Sequence, residues 1–279
     1  MLTIKDDKPL ETETLEILGH IKTATETLSI PYFMIGAKAI DLWFSHVYGL
    51  HPRATRDADF AVGIKSWEEF EGLKNRLIAS GNFHKTATVH KLTYRNSIPI
   101  DLVAFGGVEN PQGSVAWPPD HAQVMNVTGF QDINAAVEEV KLVPDGLIVR
   151  VASIPGIMLS KLLAWIDRRE TRDAWDVAFL LYFYERTLTE DRLFHDVDLV
   201  KSVGETAFIG SVLLGRDIAT LTSPKTLEAL QKLLQKDTEK EQLVRQFSIP
   251  SAMSWVDDDP SPTANKLFDC FLDGLFNRR

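Results

Sequence analysis

The sequence predicts a mixed α/β fold from the N-terminus to about residue 150 and a helical part from there to residue 279. In the first part, short apolar stretches of strand character alternate with amphipathic stretches of helical character, which is typical of a mixed sheet flanked by helices. From Ser153 onward, apolar residues recur almost everywhere at helical spacing. We therefore expect two domains, residues 1–150 and 151–279, each long enough to bury its own core.

The first elements of the α/β part are a helix, a strand and a second helix. Between Leu10 and about Thr27, apolar residues recur with the period of a helix. The stretch YFMIG then predicts a short buried strand, and the stretch AKAIDLWFSHVYG predicts a helix that begins at Gly36. This helix should end near Gly49, because glycine adopts the left-handed conformation of a helix C-terminus at little cost.

The next elements predict a strand, a helix and a hairpin. DADFAVG reads as a strand, and SWEEFEGLKNRLIASG reads as a helix in which Ser66 is the N-cap and Glu69 completes a capping box. HKLTYR and IPIDLVAF predict two further strands that can pair as a hairpin. Gly106–Pro119 is rich in glycine and proline and predicts a loop, and strand-like pieces joined by a PDG turn follow before residue 151.

Charge and composition exclude several classes of protein. The formal net charge of -9 disfavours a broad surface for long nucleic acid, although a local basic patch remains compatible with it. The single cysteine, Cys270, excludes an intramolecular disulfide and a cysteine-cluster zinc site and fits the cytoplasm. The N-terminal stretch lacks the pattern of a signal peptide, and the longest apolar run, Val177–Tyr184, is too short to cross a membrane.

The strand DADFAVG carries two carboxylates two residues apart, Asp57 and Asp59. Such acidic pairs arise by chance in an acidic chain, and most of them are solvated strand faces or turns. On a strand, however, both side chains point to one face about 6.5 to 7 Å apart, a span that divalent ions can bridge. Similar pairs occur elsewhere in the chain, at Glu11/Glu13, Asp196/Asp198 and Asp257/Asp259.

Two other features distinguish this pair. Asp101 is the one carboxylate within the apolar stretch IPIDLVAF, and it would be a third ligand if its strand lay beside the first. The alternative is an edge-strand aspartate that faces water. Gly36 and Ala37 form a turn from strand to helix, where free backbone N–H groups favour a phosphate, although small residues also occur at such turns for packing reasons.

The stretches MIGAKAID, RATRDADF and IPIDLVAF resemble, in this order, the motifs of nucleotidyltransferases of the DNA polymerase β superfamily. With Arg53-x-Thr55-x-Asp57-x-Asp59 and the later RDAWD element, the chain is similar to the AbiEii-type toxins of type IV toxin–antitoxin systems. The resemblance covers about residues 30–181. One departure is Ala37, because the family usually has Gly-Gly or Gly-Ser here; the change removes a side-chain phosphate contact and leaves the backbone donors.

The resemblance implies transfer of a nucleoside monophosphate from an NTP to an acceptor hydroxyl, with two Mg²⁺ or Mn²⁺ ions. It makes Asp57, Asp59 and Asp101 the catalytic metal ligands, with Asp101 also a general base. The implied acceptor is RNA, in particular a tRNA 3′ end, while the net charge equally fits a small molecule or a protein hydroxyl. An antitoxin protein is an implied partner. The residues expected to bind the nucleotide are Gly36, Ala37, Lys38, Thr55, Arg56, Lys161, Arg172 and Asp176.

The helical part carries its own charged cluster. On one straight helix, Lys161, Arg168, Arg172 and Asp176 would fall within about 80 degrees of each other and form a polar stripe that could line a cleft. A solvated helix face is the alternative. A helix break near Thr171, which is a good N-cap, would remove the stripe and place Arg172 in the first turn of a new helix. Asp176 is expected to hold Lys161 or Arg172 in place.

Two other functions remain open from the sequence. The first is a small-molecule nucleotidyltransferase of the antibiotic-modifying kind, which shares the three carboxylates and would have an acidic acceptor pocket. The second is a degenerate member that binds a nucleotide or a partner protein without catalysis. Ala37 is the sequence feature that points to the second.

Overall fold

The computed structural model describes residues 2–4, 9–142, 146–234 and 236–277. The chain forms two compact units, Met1–Ser153 and Ile154–Arg279. The first is a mixed sheet with flanking helices, and the described part of the second is helical. The predicted fold class, a mixed α/β part followed by a helical part, is confirmed.

The first unit contains strands and helices in alternation. Its described strands are β1 (Leu2–Thr3), β2 (Tyr32–Ile35), β3 (Ala58–Ile64), β4 (Phe83–Lys85), β5 (Lys91–Tyr94), β6 (Ile98–Gly106), β7 (Ser114–Ala116), β8 (Val124–Asn126), β9 (Glu138–Lys141) and β10 (Ile148–Val151). Its described helices are α1 (Thr12–Thr27), α2 (Gly36–Asp41), α3 (Trp67–Ala79) and α4 (Phe130–Ala135).

Eight of the described strands form one sheet in the order β1-β9-β10-β2-β3-β6-β5-β4. The neighbours β1/β9, β10/β2 and β3/β6 are parallel, and the other neighbours are antiparallel. The predicted hairpin is confirmed as the pair β5/β6. The predicted loop Gly106–Pro119 is wrong in part, because it contains β7, which pairs with β8 in a separate two-stranded ribbon. Most of the predicted PDG turn lies outside the described residues.

Strand β3 begins at Ala58, one residue later than predicted. Its antiparallel partner β2 ends at Ile35, which lies opposite Asp59, and the chain then turns into α2. No strand position is therefore left opposite Asp57 on that side. Asp59 has the fixed orientation of a strand residue, whereas Asp57 is exposed and precedes the strand.

Helix α2 starts at Gly36, as predicted, and continues directly into a π-helical segment, Leu42–Tyr48. This segment ends at Gly49 with a φ of 78°, so the predicted left-handed end is confirmed. Indole Nε1 of Trp43 donates a hydrogen bond of 2.9 Å to the carbonyl oxygen of Ala152. This hydrogen bond ties the π-helical segment to the residue that follows β10.

Helix α3 begins after the predicted N-cap. The Ser66 hydroxyl accepts a hydrogen bond of 3.4 Å from the backbone N–H of Glu69. The Glu69 carboxylate accepts one of 2.6 Å from the backbone N–H of Lys65, rather than from Ser66 itself. Both bonds satisfy donors at the start of the helix, as a capping box does.

The second unit is built from helices. Those in its described residues are α5 (Ile154–Arg168), α6 (Thr171–Phe183), α7 (Glu190–Phe194), α8 (Val197–Val203), α9 (Thr206–Leu221), α10 (Pro224–Leu234), α11 (Asp237–Phe247) and α12 (Pro260–Phe276). None of the helices in the described part of the chain has the length and apolar character needed to cross a membrane.

The single straight helix considered for Lys161 to Asp176 is wrong. Helix α5 ends at Arg168, Arg169 has a φ of 56°, and α6 begins at Thr171. Tertiary contacts hold this break, because the guanidinium of Arg169 lies 4.2 Å from the ring centre of Trp165 and pairs with Glu239. The charged residues therefore cannot form a stripe on one helix.

Candidate active site

Three charged residues lie in register across neighbouring strands of the first unit. Asp59 on β3 lies opposite Asp101 on the parallel strand β6. Asp101 in turn lies opposite Lys91 on the antiparallel strand β5. Residues in register on neighbouring strands point to the same face of the sheet, so the three side chains form one row.

Gly36 borders this row at its other end. Ile35 lies opposite Asp59, and the next residue, Gly36, opens α2 with a φ of +76°. A Cβ atom at Gly36 would lie 1.9 Å from Oδ2 of Asp59. Glycine is required here both for its backbone conformation and because the Asp59 carboxylate approaches the start of the helix so closely.

The carboxylate of Asp101 is held asymmetrically. Its Oδ2 accepts a hydrogen bond of 2.7 Å from Nζ of Lys91, and the two side chains are 19% and 42% exposed, respectively. Its Oδ1 is buried and has no hydrogen-bond partner. A buried carboxylate oxygen without a partner is costly, so this atom indicates a place for a further donor or cation.

The donor set fits a hard divalent ion. Asp59 and Asp101 provide carboxylate oxygens on adjacent strands, which are the ligands that Mg²⁺ and Mn²⁺ prefer, and Oδ1 of Asp101 is unsatisfied. Nevertheless, among the residues that the structure describes, no three His, Cys, Asp or Glu side chains converge closely enough to hold a metal ion. Asp57 lies outside the strand and Lys91 occupies one oxygen of Asp101, so the predicted set of three ligands is not assembled in this arrangement.

A cavity of about 570 Å³ lies on the other face of the sheet. Ala58 and Phe60 line it, and these residues alternate with Asp59 along β3, so they point away from the carboxylate row. Three residues predicted to bind the nucleotide also line the cavity, namely Lys38, Thr55 and Arg56. Its charged lining residues are two acids, Glu11 and Glu13, and two bases, Lys38 and Arg56, so the lining favours neither a cationic nor an anionic ligand.

Lys38 and Ala37 are buried at the start of α2. The ammonium group of Lys38 lies 3.2 Å from a carboxylate oxygen of Asp41 and 3.7 Å from one of Glu11. Its charge is therefore already balanced by two carboxylates. Backbone N–H groups, rather than this side chain, are what the Gly36 turn offers to a phosphate.

In the second unit, Lys161 lies at the centre of a buried charge network. Its Nζ is 2.7 Å from Asp176 and 3.1 Å from Asp173, and all three side chains are buried. Arg168 forms two further hydrogen bonds to Asp173, of 2.6 and 2.8 Å. The expectation that Asp176 holds Lys161 is met by this geometry, whereas Arg172 is exposed in the first turn of α6.

The network also sets the ionisation of Asp173. Burial raises the pKa of this carboxyl, but the hydrogen bonds from Arg168 and the charge of Lys161 outweigh that effect and hold its pKa below the ordinary value. Asp173 is therefore an anion at neutral pH despite being 1% exposed. The sequence interpretation assigned it no role, although its position at the start of the RDAWD element was a usable signal.

Lys91 is the residue of the carboxylate row that the sequence interpretation missed. The predicted strands HKLTYR and IPIDLVAF, paired outward from a two-residue turn, would place Leu92 opposite Asp101, whereas the observed turn is one residue longer and brings Lys91 to that position. Cross-strand pairs of opposite charge commonly stabilise a hairpin, as Lys91 and Asp101 do here.

Comparison with protein families identifies one match. Residues 33–247 match the family described as "Nucleotidyl transferase AbiEii toxin, Type IV TA system". The matched range includes Gly36, Asp59, Lys91, Asp101 and the network around Lys161. A comparison with curated proteins finds no match.

Solved structures give distant similarities. The chain is 17% identical to an antigenic nucleotidyltransferase-like protein from Paracoccidioides brasiliensis, with a TM-score of 0.42 and coverage of 88% of this chain and 100% of that one. It is 17% identical to JHP933 from Helicobacter pylori, with a TM-score of 0.39 and coverage of 97% and 94%. It is 15% identical to the antibiotic-resistance factor ANT(2'')-Ia, with a TM-score of 0.37 and coverage of 76% and 96%.

Proposed function

The chain belongs to the AbiEii family of nucleotidyltransferases, and from that premise we propose that it transfers a nucleoside monophosphate from an NTP to an acceptor hydroxyl with the help of Mg²⁺ or Mn²⁺. The reacting centre in this proposal is the row of Asp59 and Asp101 beside Gly36. In this proposal Asp57, which directly precedes the start of β3, provides a further carboxylate. Family membership supports nucleotide transfer in general, and the metal, the acceptor and the toxin role are parts of the proposal.

The observation that carries the proposal is the placement of Asp59 and Asp101 in register on adjacent parallel strands. Two carboxylates side by side repel each other unless a cation lies between them or beside them. Oδ1 of Asp101 has no hydrogen-bond partner, and Oδ2 of Asp59 lies against the strand-to-helix turn at Gly36. The arrangement thus combines acidic oxygens for a cation with backbone N–H donors for a phosphate.

The proposed reaction is an in-line displacement at the α-phosphorus. The acceptor oxygen forms the new bond to this phosphorus, the bond to the bridging oxygen of the β-phosphate breaks, and pyrophosphate leaves. The acceptor proton passes to a carboxylate oxygen of Asp101. When bound, divalent ions supply the positive charge that the transferred phosphoryl group needs, and Asp57, Asp59 and Asp101 would hold them. Backbone N–H groups of Gly36 and Ala37 orient the departing phosphates.

Other predicted nucleotide contacts remain part of the proposal. Arg172 presents an exposed guanidinium, and Lys161 is a buried cation held by Asp173 and Asp176. NTP affinity measured by calorimetry in the Arg172→Gln variant tests the first contact. Unchanged NTP affinity would show that Arg172 does not contact the nucleotide, and a loss of affinity of about tenfold would support the contact. In the first unit, Lys38, Thr55 and Arg56 line the cavity on the opposite face of the sheet from Asp59 and Asp101, so in this proposal they contact only the part of the nucleotide that reaches beyond the carboxylate row.

We propose an RNA 3′ hydroxyl, in particular that of tRNA, as the acceptor. The family is one of toxins, and a toxin must act on a component that the cell cannot spare. The net charge of -9 does not oppose this choice if contacts are confined to the end of the RNA rather than spread along it. An antitoxin protein that blocks the reaction is the corresponding partner.

The experiment is a transfer assay with labelled NTPs, Mg²⁺ or Mn²⁺, and separate acceptors. The acceptors are total tRNA, a protein extract and a panel of cationic small molecules. Asp101→Asn and Asp59→Asn should each lower transfer by about 100-fold or more, because each removes a charge aimed at the reacting centre. Asp257→Asn is the matched control, since Asp257 belongs to an acidic pair in an exposed part of the second unit.

The pattern of labelling decides between the functions. Label on tRNA with wild type and with Asp257→Asn, and none with Asp101→Asn, supports the proposal in full. Label on a small molecule instead of tRNA would replace the acceptor and keep the reaction. NTP binding without transfer to any acceptor would contradict the catalytic proposal and favour a non-catalytic nucleotide-binding member.

A further inference from the structure

We infer that Lys91 is an internal counterion of the carboxylate row, which pairs with Asp101 and orients it while no divalent ion is bound and releases it when one binds. Lys91 is thus a positioning residue for the reaction. This inference rests on the proposed function, because it requires a divalent ion to bind at Asp59 and Asp101. It adds a competition between a residue of the chain and the metal for one carboxylate.

The backbone fixes the pair. Lys91 and Asp101 are direct partners across the β5/β6 hairpin, and the strands are joined by a short turn in which Arg95 and Asn96 have φ values of 47° and 58°. The register of such a hairpin is set by its turn, so Lys91 cannot slide to another partner. The 2.7 Å contact between Lys91 Nζ and Asp101 Oδ2 follows from this register.

The two partners differ in exposure, so Lys91 is the one that moves away when the pair separates. The Lys91 side chain is 42% exposed, so its ammonium group can return to water when it leaves Asp101. The Asp101 side chain is 19% exposed and its Oδ1 already lacks a partner, so this carboxylate would be poorly satisfied alone. A divalent ion can replace Lys91 because it offers Asp101 more charge.

The row also explains why a counterion is needed at this position. Asp59 and Asp101 lie side by side on adjacent strands, so their carboxylates repel each other unless a cation lies beside them. Lys91 is the next residue along the same row. It supplies a cation to Asp101, and it weakens metal binding by the strength of its own ion pair.

The test measures Mn²⁺ binding to the full chain without nucleotide, by the electron paramagnetic resonance signal of free Mn²⁺. Lys91→Gln should bind Mn²⁺ about threefold to tenfold more tightly than wild type, because the competing ion pair is gone and such pairs are modest in strength. Lys91→Arg keeps the counterion and should stay within about twofold of wild type. Lys85→Gln, an exposed lysine on the neighbouring strand β4, makes the same change of charge and should also stay within about twofold.

A second comparison separates direct competition from a general effect of charge. In an Asp101→Asn background, Lys91→Gln should no longer tighten Mn²⁺ binding, since the contested group no longer carries charge. Equal or weaker binding by Lys91→Gln in the otherwise wild-type chain would overturn the inference and leave the proposed function intact. If the wild-type chain bound no Mn²⁺ and transferred no nucleotide, the proposed function itself would fail and the inference with it.

Discussion

Replacing Gly36 by alanine tests the geometry on which the candidate site depends. The new Cβ would lie 1.9 Å from Oδ2 of Asp59 and 2.8 Å from its Cγ. An ordinary contact between carbon and oxygen is about 3.4 Å or more, so the carboxylate must move by more than about 1 Å. A φ of +76° adds strain of about 1 to 2 kcal/mol for a residue with a Cβ.

Two glycines elsewhere in the first unit separate these effects. Gly81 has a φ of +80° and open space where its Cβ would be, so Gly81→Ala suffers the backbone strain alone. Gly72 lies within α3, also with open space, so Gly72→Ala should stabilise the chain by about 0.5 to 1 kcal/mol. Gly36→Ala should therefore lower the free energy of unfolding by about 1 to 2 kcal/mol more than Gly81→Ala does.

The assays are urea unfolding followed by circular dichroism, and nucleotide transfer under saturating metal. A displacement of about 1 Å in a reacting group can lower a rate by about 100-fold, and we expect that loss for Gly36→Ala. Gly81→Ala and Gly72→Ala should retain transfer within about threefold of wild type. The reasoning is refuted if Gly36→Ala matches Gly81→Ala in both stability and transfer.

Three further predictions concern the second unit and a helix cap. Lys161→Met should lower the free energy of unfolding by about 3 kcal/mol in urea, because it leaves the buried carboxylates of Asp173 and Asp176 short of a cation. The pKa of Asp173 is lowered in the folded chain, so the stability that its ionised carboxylate contributes is fully present above its unfolded pKa of about 4 and is lost as the pH falls through the folded pKa. When the free energy of unfolding is measured against pH in the acid range, Asp173→Asn should lack this loss. An acid profile equal to that of wild type would contradict the assignment. Ser66→Ala should lower the free energy of unfolding by about 1 kcal/mol in the same experiment, because it removes the N-cap of α3. A decrease of less than about 0.3 kcal/mol would contradict this role of Ser66.

Much of the fold follows from local signals in the sequence. The helix that starts at Gly36 and ends at Gly49, the N-cap at Ser66 and the β5/β6 hairpin are each set by residues within the element or its turn. Local signals also located Asp59 and Asp101 on strands. These features could be predicted because turn chemistry and periodicity act over a few residues.

The remaining features depend on distant residues; near Thr171 the sequence left both a continuous helix and a broken one open. The break between α5 and α6 is held by contacts of Arg169 with Trp165 and Glu239, the second of which is 70 positions away along the chain. The start of β3 at Ala58 depends on where its partner β2 turns into a helix. Strand β7 was not predicted because it lies in a stretch rich in glycine and proline and is stabilised by its pairing with β8.

The close approach of Asp59 to Gly36 is of the same kind. The sequence interpretation valued Gly36 for the backbone N–H groups of its turn, whereas the structure adds that any larger residue would displace Asp59. Lys91 became visible as part of the row only through the register of three strands. The candidate site is thus a property of the pairing between strands and not of any one motif.

We have proposed that the row of Asp59 and Asp101 transfers the α-phosphoryl group of an NTP together with its nucleoside. The most direct measurement compares two forms of each NTP, labelled at the α-phosphate or at the γ-phosphate, with tRNA as acceptor and Mg²⁺ or Mn²⁺ present. The account predicts that α-label becomes attached to the acceptor, that γ-label appears only in pyrophosphate, and that Asp101→Asn abolishes the first result. Transfer of γ-label to the acceptor, or α-label transfer that persists in Asp101→Asn, would contradict it.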